Sequence, residues 1–165
     1  MTFFFVVLLA GVTTGLTMVI RIPIPGTGGY LNLGDIAVVF CGLFLRRWRG
    51  AVAGGMGSAV ADLIGGFYIF SPVTLIAKGL EGLVAGTLAV RSRYWLILSG
   101  TLMVAGYFLA ELFLPNMGWA AALSELPFNL LQAAVGATGG LAVYRAVTLA
   151  LPRSGGSGGA HGEAE

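Results

Sequence analysis

Apolar residues fall along the chain in six runs, over residues 3–20, 33–45, 50–70, 73–90, 94–114 and 122–149, the second of them short and each closed by polar punctuation. After the first run come Arg21 and a segment with Pro23, Pro25 and several glycines, which cannot continue a helix because proline lacks the N–H donor. Arg46-Arg47-Trp48-Arg49 closes the second run and Ser71-Pro72 the third, with proline suited to the first turn of the next helix. Arg91-Ser92-Arg93, Pro115-Asn116-Met117-Gly118 and Pro152 end the remaining three. A run of about 20 residues rises about 30 Å as a helix, the thickness of a hydrocarbon core. The pattern predicts an all-α membrane protein, a bundle of six transmembrane helices.

Composition removes the soluble alternatives. Hydrophobic residues make up 57% of the 165 positions and charged residues 10%, with a mean hydropathy of +0.91, far from the quarter or so of charged residues in a soluble domain. Six helices use nearly the whole length, so one membrane domain is expected over 1–151, followed by a disordered Gly/Ser-rich tail over 152–165. The first run lacks a basic leader and a small-residue cleavage site and reads as a retained span. Cys41 is the sole cysteine, which rules out an internal disulfide. The net charge of +2 comes from arginines clustered between apolar runs, a topology signal and not a nucleic-acid surface.

Arg46, Arg47 and Arg49, then Arg91 and Arg93, then Arg145 and Arg153, follow even-numbered runs and so fall on one side. The positive-inside rule makes that side cytoplasmic, with both termini inside and Arg21 as the one basic exception. Asp62, Lys78, Glu81, Glu111, Glu125, Asn129 and Gln132 then all sit toward the outer side. Ionisable groups at membrane depth cost about 2.5–3.5 kcal/mol each on insertion scales and usually face a cavity or one another. The one-sided grouping favours an outward-facing binding pocket over a channel, which would need polar groups across the full thickness. Mutual neutralisation of Asp62, Lys78 and Glu81 inside the bundle is the other reading.

Glycine supplies 27 residues, many at four-residue spacing. Gly50, Gly54, Ser58 and Asp62 share a helix face, as do Lys78, Gly82 and Gly86, and Gln132, Gly136 and Gly140. In each row the glycines lie toward the inner side and the polar residue toward the outer. The first run carries its own small face, Ala10, Gly11, Thr14 and Gly15, suited either to internal packing or to an external helix. No Gly-x-x-x-x-Gly-Lys-Ser/Thr loop is present, so any ATP-driven work belongs to another subunit.

Gly29-Tyr30-Leu31-Asn32-Leu33-Gly34-Asp35, the segment from Gly42 through Arg49 and Gly50 into Gly57-Ser58-Ala59-Val60-Ala61-Asp62-Leu63, and Lys78-Gly79-Leu80-Glu81-Gly82 resemble the substrate-specific S components of energy-coupling-factor (ECF) vitamin transporters. The resemblance covers nearly all of the chain except the tail and is closest to the riboflavin-type group, which includes carriers for hydroxymethylpyrimidine and pyridoxine-like compounds. It implies a multi-pass protein of a prokaryotic cell membrane, in contact with lipid, that captures a vitamin at its outer face. It further implies docking on a transmembrane T component driven by two ATPase subunits, which use the ATP; the chain itself needs no cofactor, metal or nucleic acid. The family docks through small residues on span one, often Ala-x-x-x-Ala; here Ala10, Gly11, Thr14 and Gly15 stand there, with Thr14 replacing the second alanine. The usual Gly-Pro before span three is replaced by Arg46-Arg47.

The expected substrate-binding residues are Tyr30, Asn32, Asp62, Lys78, Glu81, Asn129 and Gln132. The amides of Asn129 and Gln132 offer donors and acceptors to a heterocycle, or bond helix to helix. Lys78 and Glu81, three apart, bind ligand or pair on one helix. Tyr30 and Asn32 lid the site, or Tyr30 anchors at the interface. Asp35 reads as a helix N-cap, and Tyr68, Phe70, Trp119 and Phe128 as pocket walls or interfacial anchors. An enzyme is not expected: the single histidine, His161, stands in the tail, and no nucleophile–base pair is evident. A stand-alone secondary carrier or channel for a small solute is the alternative.

Overall fold

The computed structural model describes residues 2–25, 27 and 29–151; the predicted tail lies outside them. Its helices are α1 (Thr2–Val19), α2 (Gly34–Leu45), α3 (Arg47–Gly65), α4 (Ser71–Thr87), α5 (Trp95–Phe113) and α6 (Trp119–Ala150). Each of them overlaps one apolar run of the sequence. Between α1 and α2 the chain forms a short antiparallel hairpin, β1 (Arg21–Pro23) and β2 (Tyr30–Asn32), with Ile22 opposite Leu31. The sequence reading took this segment as plain loop. Three-residue strands carry too little alternation to register as a period, and Pro23 sits at a strand end, where its missing donor costs no ladder bond.

Three boundaries differ from expectation. Arg46 alone separates α2 from α3, so Arg47, Trp48 and Arg49 form the first turn of α3 instead of a loop. Gly66, at φ 83°, ends α3 in the left-handed conformation that glycine adopts without steric cost. Pro127 lies well inside α6, whose first turn begins at Trp119.

The helices close a ring in the order α1, α3, α4, α5, α6, α2, with α2 also packed on α3 and α4. The shortest helix is therefore the central one, and Val38, Val39 and Cys41 are fully buried on it. Backbones approach closely around it. A methyl built on Gly50 would lie 2.5 Å from the Gly42 Cα, and one on Gly82 would lie 2.9 Å from the Gly50 carbonyl oxygen.

Burial is inverted relative to a soluble protein. Lys78, Glu81, Glu111, Asp35 and Asp62 are each no more than 2% exposed, whereas Phe3, Val7, Ile64, Ile76, Ile97, Leu123, Leu130 and Leu131 face outward. An apolar skin around charged groups is the arrangement lipid demands and water does not. By length and composition alone, α5 and α6 are long and apolar enough to cross a bilayer, while α1 and α2 are apolar but shorter.

Candidate ligand-binding cavity

The C-terminal ends of α1 and α3, the first half of α4, one position of α5, the first half of α6 and the hairpin enclose a cavity. Its walls include Tyr30, Asn32, Asp62, Lys78, Asn129 and Gln132, together with Thr17, Ser58, Phe70, Thr74, Tyr107 and Glu125. The cavity is narrow, with a volume of only about 30 Å³. That is room for about two waters, so a ligand must part the hairpin from the helix ends.

Lys78 anchors the floor. Its ammonium forms an ion pair with Asp35, stands 3.9 Å from Glu81 Oε2, and lies 5.5 Å from the centre of the Tyr107 ring. The Asp35 side chain thus serves Lys78 and makes no capping bond; Leu33 occupies the cap position of α2. A glycine makes this pairing possible, because a methyl on Gly136 of α6 would lie 2.5 Å from the Asp35 Cβ. Glu81 is fully buried behind Lys78 and is not part of the cavity wall. The sequence offers Asp62 and Glu81 as the carboxylates that neutralise Lys78; in the structure Asp35 pairs with Lys78 directly, while Asp62 accepts from Tyr30 of the hairpin.

The hairpin is latched from both sides. The Tyr30 hydroxyl donates to Asp62 Oδ1 at 2.5 Å, and its ring packs 4.5 Å from the Phe67 ring. The Arg21 guanidinium lies 5.0 Å from the centre of Tyr30 and 5.5 Å from that of Phe67, while donating to the Ala61 carbonyl at 2.6 Å. Arg21 was the basic residue on the wrong side for the topology rule; its charge is spent on α3 and two aromatic faces. Burial first, then the Asp62 acceptor, push the Tyr30 hydroxyl far above its ordinary pKa, which keeps it a donor. On the α6 side the Asn32 backbone N–H donates to Gln132 Oε1 at 2.9 Å, and Asn32 Oδ1 accepts from the Gly34 N–H at 2.7 Å. Asn32 and Gln132 therefore tie hairpin to bundle with half of each amide and keep the other half for the cavity.

Several polar atoms point into this region without a partner among the described residues. Asp62 Oδ2, Ser58 Oγ and Glu125 Oε1 are buried and unbonded, on three residues of the cavity wall. Both carboxylate oxygens of Glu111 are likewise buried without a partner among the described residues. No hydrogen bond among the described residues uses the Asn129 side chain, which is 7% exposed on the cavity wall. An unsatisfied buried polar group costs about 1–3 kcal/mol, so the cluster is built to be completed by something that donates hydrogen bonds.

Among the aromatics, Phe70 lines the cavity, whereas Tyr68 and Trp119 are exposed on the outer surface and Phe128 is marginally so. Sequence reasoning missed Thr17, Thr74 and Tyr107. The Tyr107 hydroxyl shares a 2.8 Å hydrogen bond with Thr74, but nothing in the apolar run around Tyr107 distinguished it from an interfacial tyrosine. On α1, Gly11 and Gly15 face outward with no neighbouring atom within 4 Å of an added methyl. Ala10 and Thr14 are half-buried; the Thr14 hydroxyl donates to the Gly57 carbonyl at 2.8 Å. The small face thus divides, one half against α3 and the other free.

An apolar-skinned helical bundle around a latched polar cavity suits a membrane-embedded protein that binds a small solute. The family model described as "ECF-type riboflavin transporter, S component" matches residues 2–149, and the chain belongs to that family. It is a transporter component of the cell membrane and not an enzyme. It is 39% identical over 126 residues to an uncharacterized protein in a gap 3′ region of Pyrococcus woesei, covering 73% of this chain and 83% of the relative. It is 33% identical over 136 residues to the thiamine precursor transporter HmpT of Lactococcus lactis subsp. cremoris (strain MG1363), covering 78% of each.

Proposed function

We propose that the chain is the substrate-binding subunit of an ECF-type importer and that its cavity captures an amino-substituted nitrogen heterocycle of the hydroxymethylpyrimidine kind. Bound ligand passes inward when a T component and two ATPase subunits, which consume the ATP, engage the same chain. The reading is carried by the partnerless acceptors in the cavity wall. Asp62 Oδ2 and Glu125 Oε1 call for donors, and the cavity's one cation, Lys78, is already paired to Asp35. Riboflavin could supply donors from its ribityl hydroxyls, but its three-ring system needs far more room than this narrow cavity gives. A 4-aminopyrimidine offers an exocyclic amine and a hydroxyl as donors, and ring nitrogens that accept from the free amide N–H groups of Asn129 or Gln132. The small size of the cavity and the relative named as a thiamine precursor transporter point the same way.

In this reading the six helices cross the membrane with both termini in the cytoplasm, 1–151 forms one domain, and the cavity opens outward. Tyr30 and Asn32 lid the ligand, Asp62, Asn129 and Gln132 bind it, and Lys78, backed by Glu81, sets the floor. Gly11 and Gly15, with Ala10 and Thr14 behind them, form the surface of α1 that meets the T component, because only small residues let two helices approach closely in lipid. Titration of the purified protein with hydroxymethylpyrimidine, riboflavin and pyridoxine tests the assignment. Saturable binding of the first with a colourless, flavin-free preparation is expected; a yellow preparation that retains riboflavin overturns it.

A further inference from the structure

The opposite end of the bundle carries a second concavity. Where α3 begins and α4 ends, Arg46, Arg47 and Arg91 line an open cleft with Gly86, Thr87, Leu88 and Val90. By the measure that allows two waters in the ligand cavity, this cleft has about 450 Å³. Among the described residues, none of these three arginines is paired with a carboxylate. Asp35, Asp62, Glu81, Glu111 and Glu125, the acidic residues among those described, are all buried elsewhere in the bundle, and both ion pairs among the described residues belong to Lys78. The N-terminus of α3 opens here too, with no side-chain cap and no acidic residue in its first turn, so its free N–H groups and dipole add to the positive potential.

The backbone is held in an unusual shape to make this arrangement. Arg46 and Arg47 adopt φ 65° and 50°, a region non-glycine residues seldom enter, where the surrounding structure must over-determine them. The level of the cleft is marked as well. Trp48, Tyr94 and Trp95 are exposed beside it, and Arg49 and Arg93 lie over the Trp48 and Tyr94 rings at 5.9 and 5.8 Å. Exposed tryptophan and tyrosine alongside arginine are the signature of the headgroup layer. Leu88 and Val90 give the cleft an apolar wall, which a free inorganic anion does not need and an acyl chain does.

We propose that this cleft seats the phosphate of an anionic phospholipid headgroup, gripped by Arg46, Arg47 and Arg91, with the acyl chains continuing over Leu88 and Val90. Basic pockets between membrane helices bind such headgroups, with a contribution per arginine equivalent to about fivefold in affinity. The site is independent of the vitamin assignment. A lipid held here ties this end of the chain to one leaflet while the ligand end opens and closes.

The test is native mass spectrometry of the full chain in detergent, with phosphatidylglycerol and phosphatidylcholine supplied in turn. Phosphatidylglycerol is expected to survive as a bound adduct and phosphatidylcholine to be lost. Arg91→Gln and Arg46→Gly should each weaken retention about fivefold; glycine suits the left-handed backbone at 46, so that variant keeps the fold while losing the charge. Arg145→Gln, which removes an equal charge outside the cleft, should leave retention unchanged. Equal retention of the two lipids, an equal loss in Arg145→Gln, or displacement of the lipid by millimolar inorganic phosphate would each overturn the proposal, the last by assigning the cleft to a soluble anion.

Discussion

The two ends of the bundle solve opposite problems with the same helical spacing. Along one face of α3, Gly50 and Gly54 meet Gly42 and Val38 of α2 so closely that neither has room for a side chain, while Ser58 and Asp62 on the same face line the cavity. On α4, Gly86 and Gly82 sit against the α2–α3 backbones and Lys78 reaches the cavity; on α6, Gly140 and Gly136 sit against Val39 and Asp35 and Gln132 binds the hairpin. Removing side chains at one end brings three helices into backbone contact around α2. Restoring long polar ones at the other end forces them apart. A cavity results that has charged walls but a rigid base, which suits a protein that must hold a ligand tightly without help from water.

That contrast predicts a graded set of effects. The largest should come from Lys78→Met, which leaves Asp35 and Glu81 buried without a cation at a cost of about 3–5 kcal/mol; the yield of monodisperse protein in detergent should collapse. Next comes Gly50→Ala, whose new methyl meets the Gly42 Cα and should destabilise by about 1–3 kcal/mol or more. Gly11→Ala and Gly15→Ala, facing open space, should leave the melting temperature unchanged. A comparable loss at Gly11 and Gly50 would erase the distinction between a scaffold face and a free one. Asn129→Ala should keep the melting temperature and weaken ligand binding by about 1–3 kcal/mol, roughly five- to 150-fold. A smaller effect on ligand binding than that of Asn129→Ala belongs to Tyr30→Phe, which removes the latch to Asp62 but retains the ring stack; ligand release should quicken about fivefold, as for a hydrogen bond of about 1 kcal/mol. Stopped-flow release measurements decide it, and an unchanged rate would remove the hairpin from the gating role.

A separate pair of variants divides binding from assembly. Gly11→Leu and Gly15→Leu should bind ligand normally and fail to co-purify with the T component and ATPase subunits. Uptake by the chain reconstituted alone, without ATP, would favour the stand-alone carrier instead.

The six helices were legible in the sequence because the apolar runs, the second apart, are long and their ends carry strong punctuation, from Ser71-Pro72 to Arg91-Ser92-Arg93. The polar grouping was legible too, since a charge inside an apolar run stands out whatever its partner. What remained hidden was who meets whom. Asp35 looked like a cap because its position at the start of α2 suits one; its pairing with Lys78, 43 residues away, depends on how α2 and α4 cross, and helical periodicity carries no record of that. Arg21 contradicted the charge rule until its carbonyl and aromatic partners came into view. Thr74 and Tyr107 gave no signal, because threonine and tyrosine are unremarkable in membrane helices. The hairpin escaped because its strands are shorter than any detectable alternation.

The central claim is that the end holding the buried carboxylates, Lys78 and Asn129 is a receptor for an amine-bearing heterocycle. Isothermal titration of hydroxymethylpyrimidine into the wild-type protein and into Asn129→Ala tests it most directly. Saturable one-to-one binding that falls at least about fivefold in the variant, with the melting temperature preserved, is the expected result. Equal affinity in the two proteins would contradict the account, because the ligand would then bind somewhere other than this cavity.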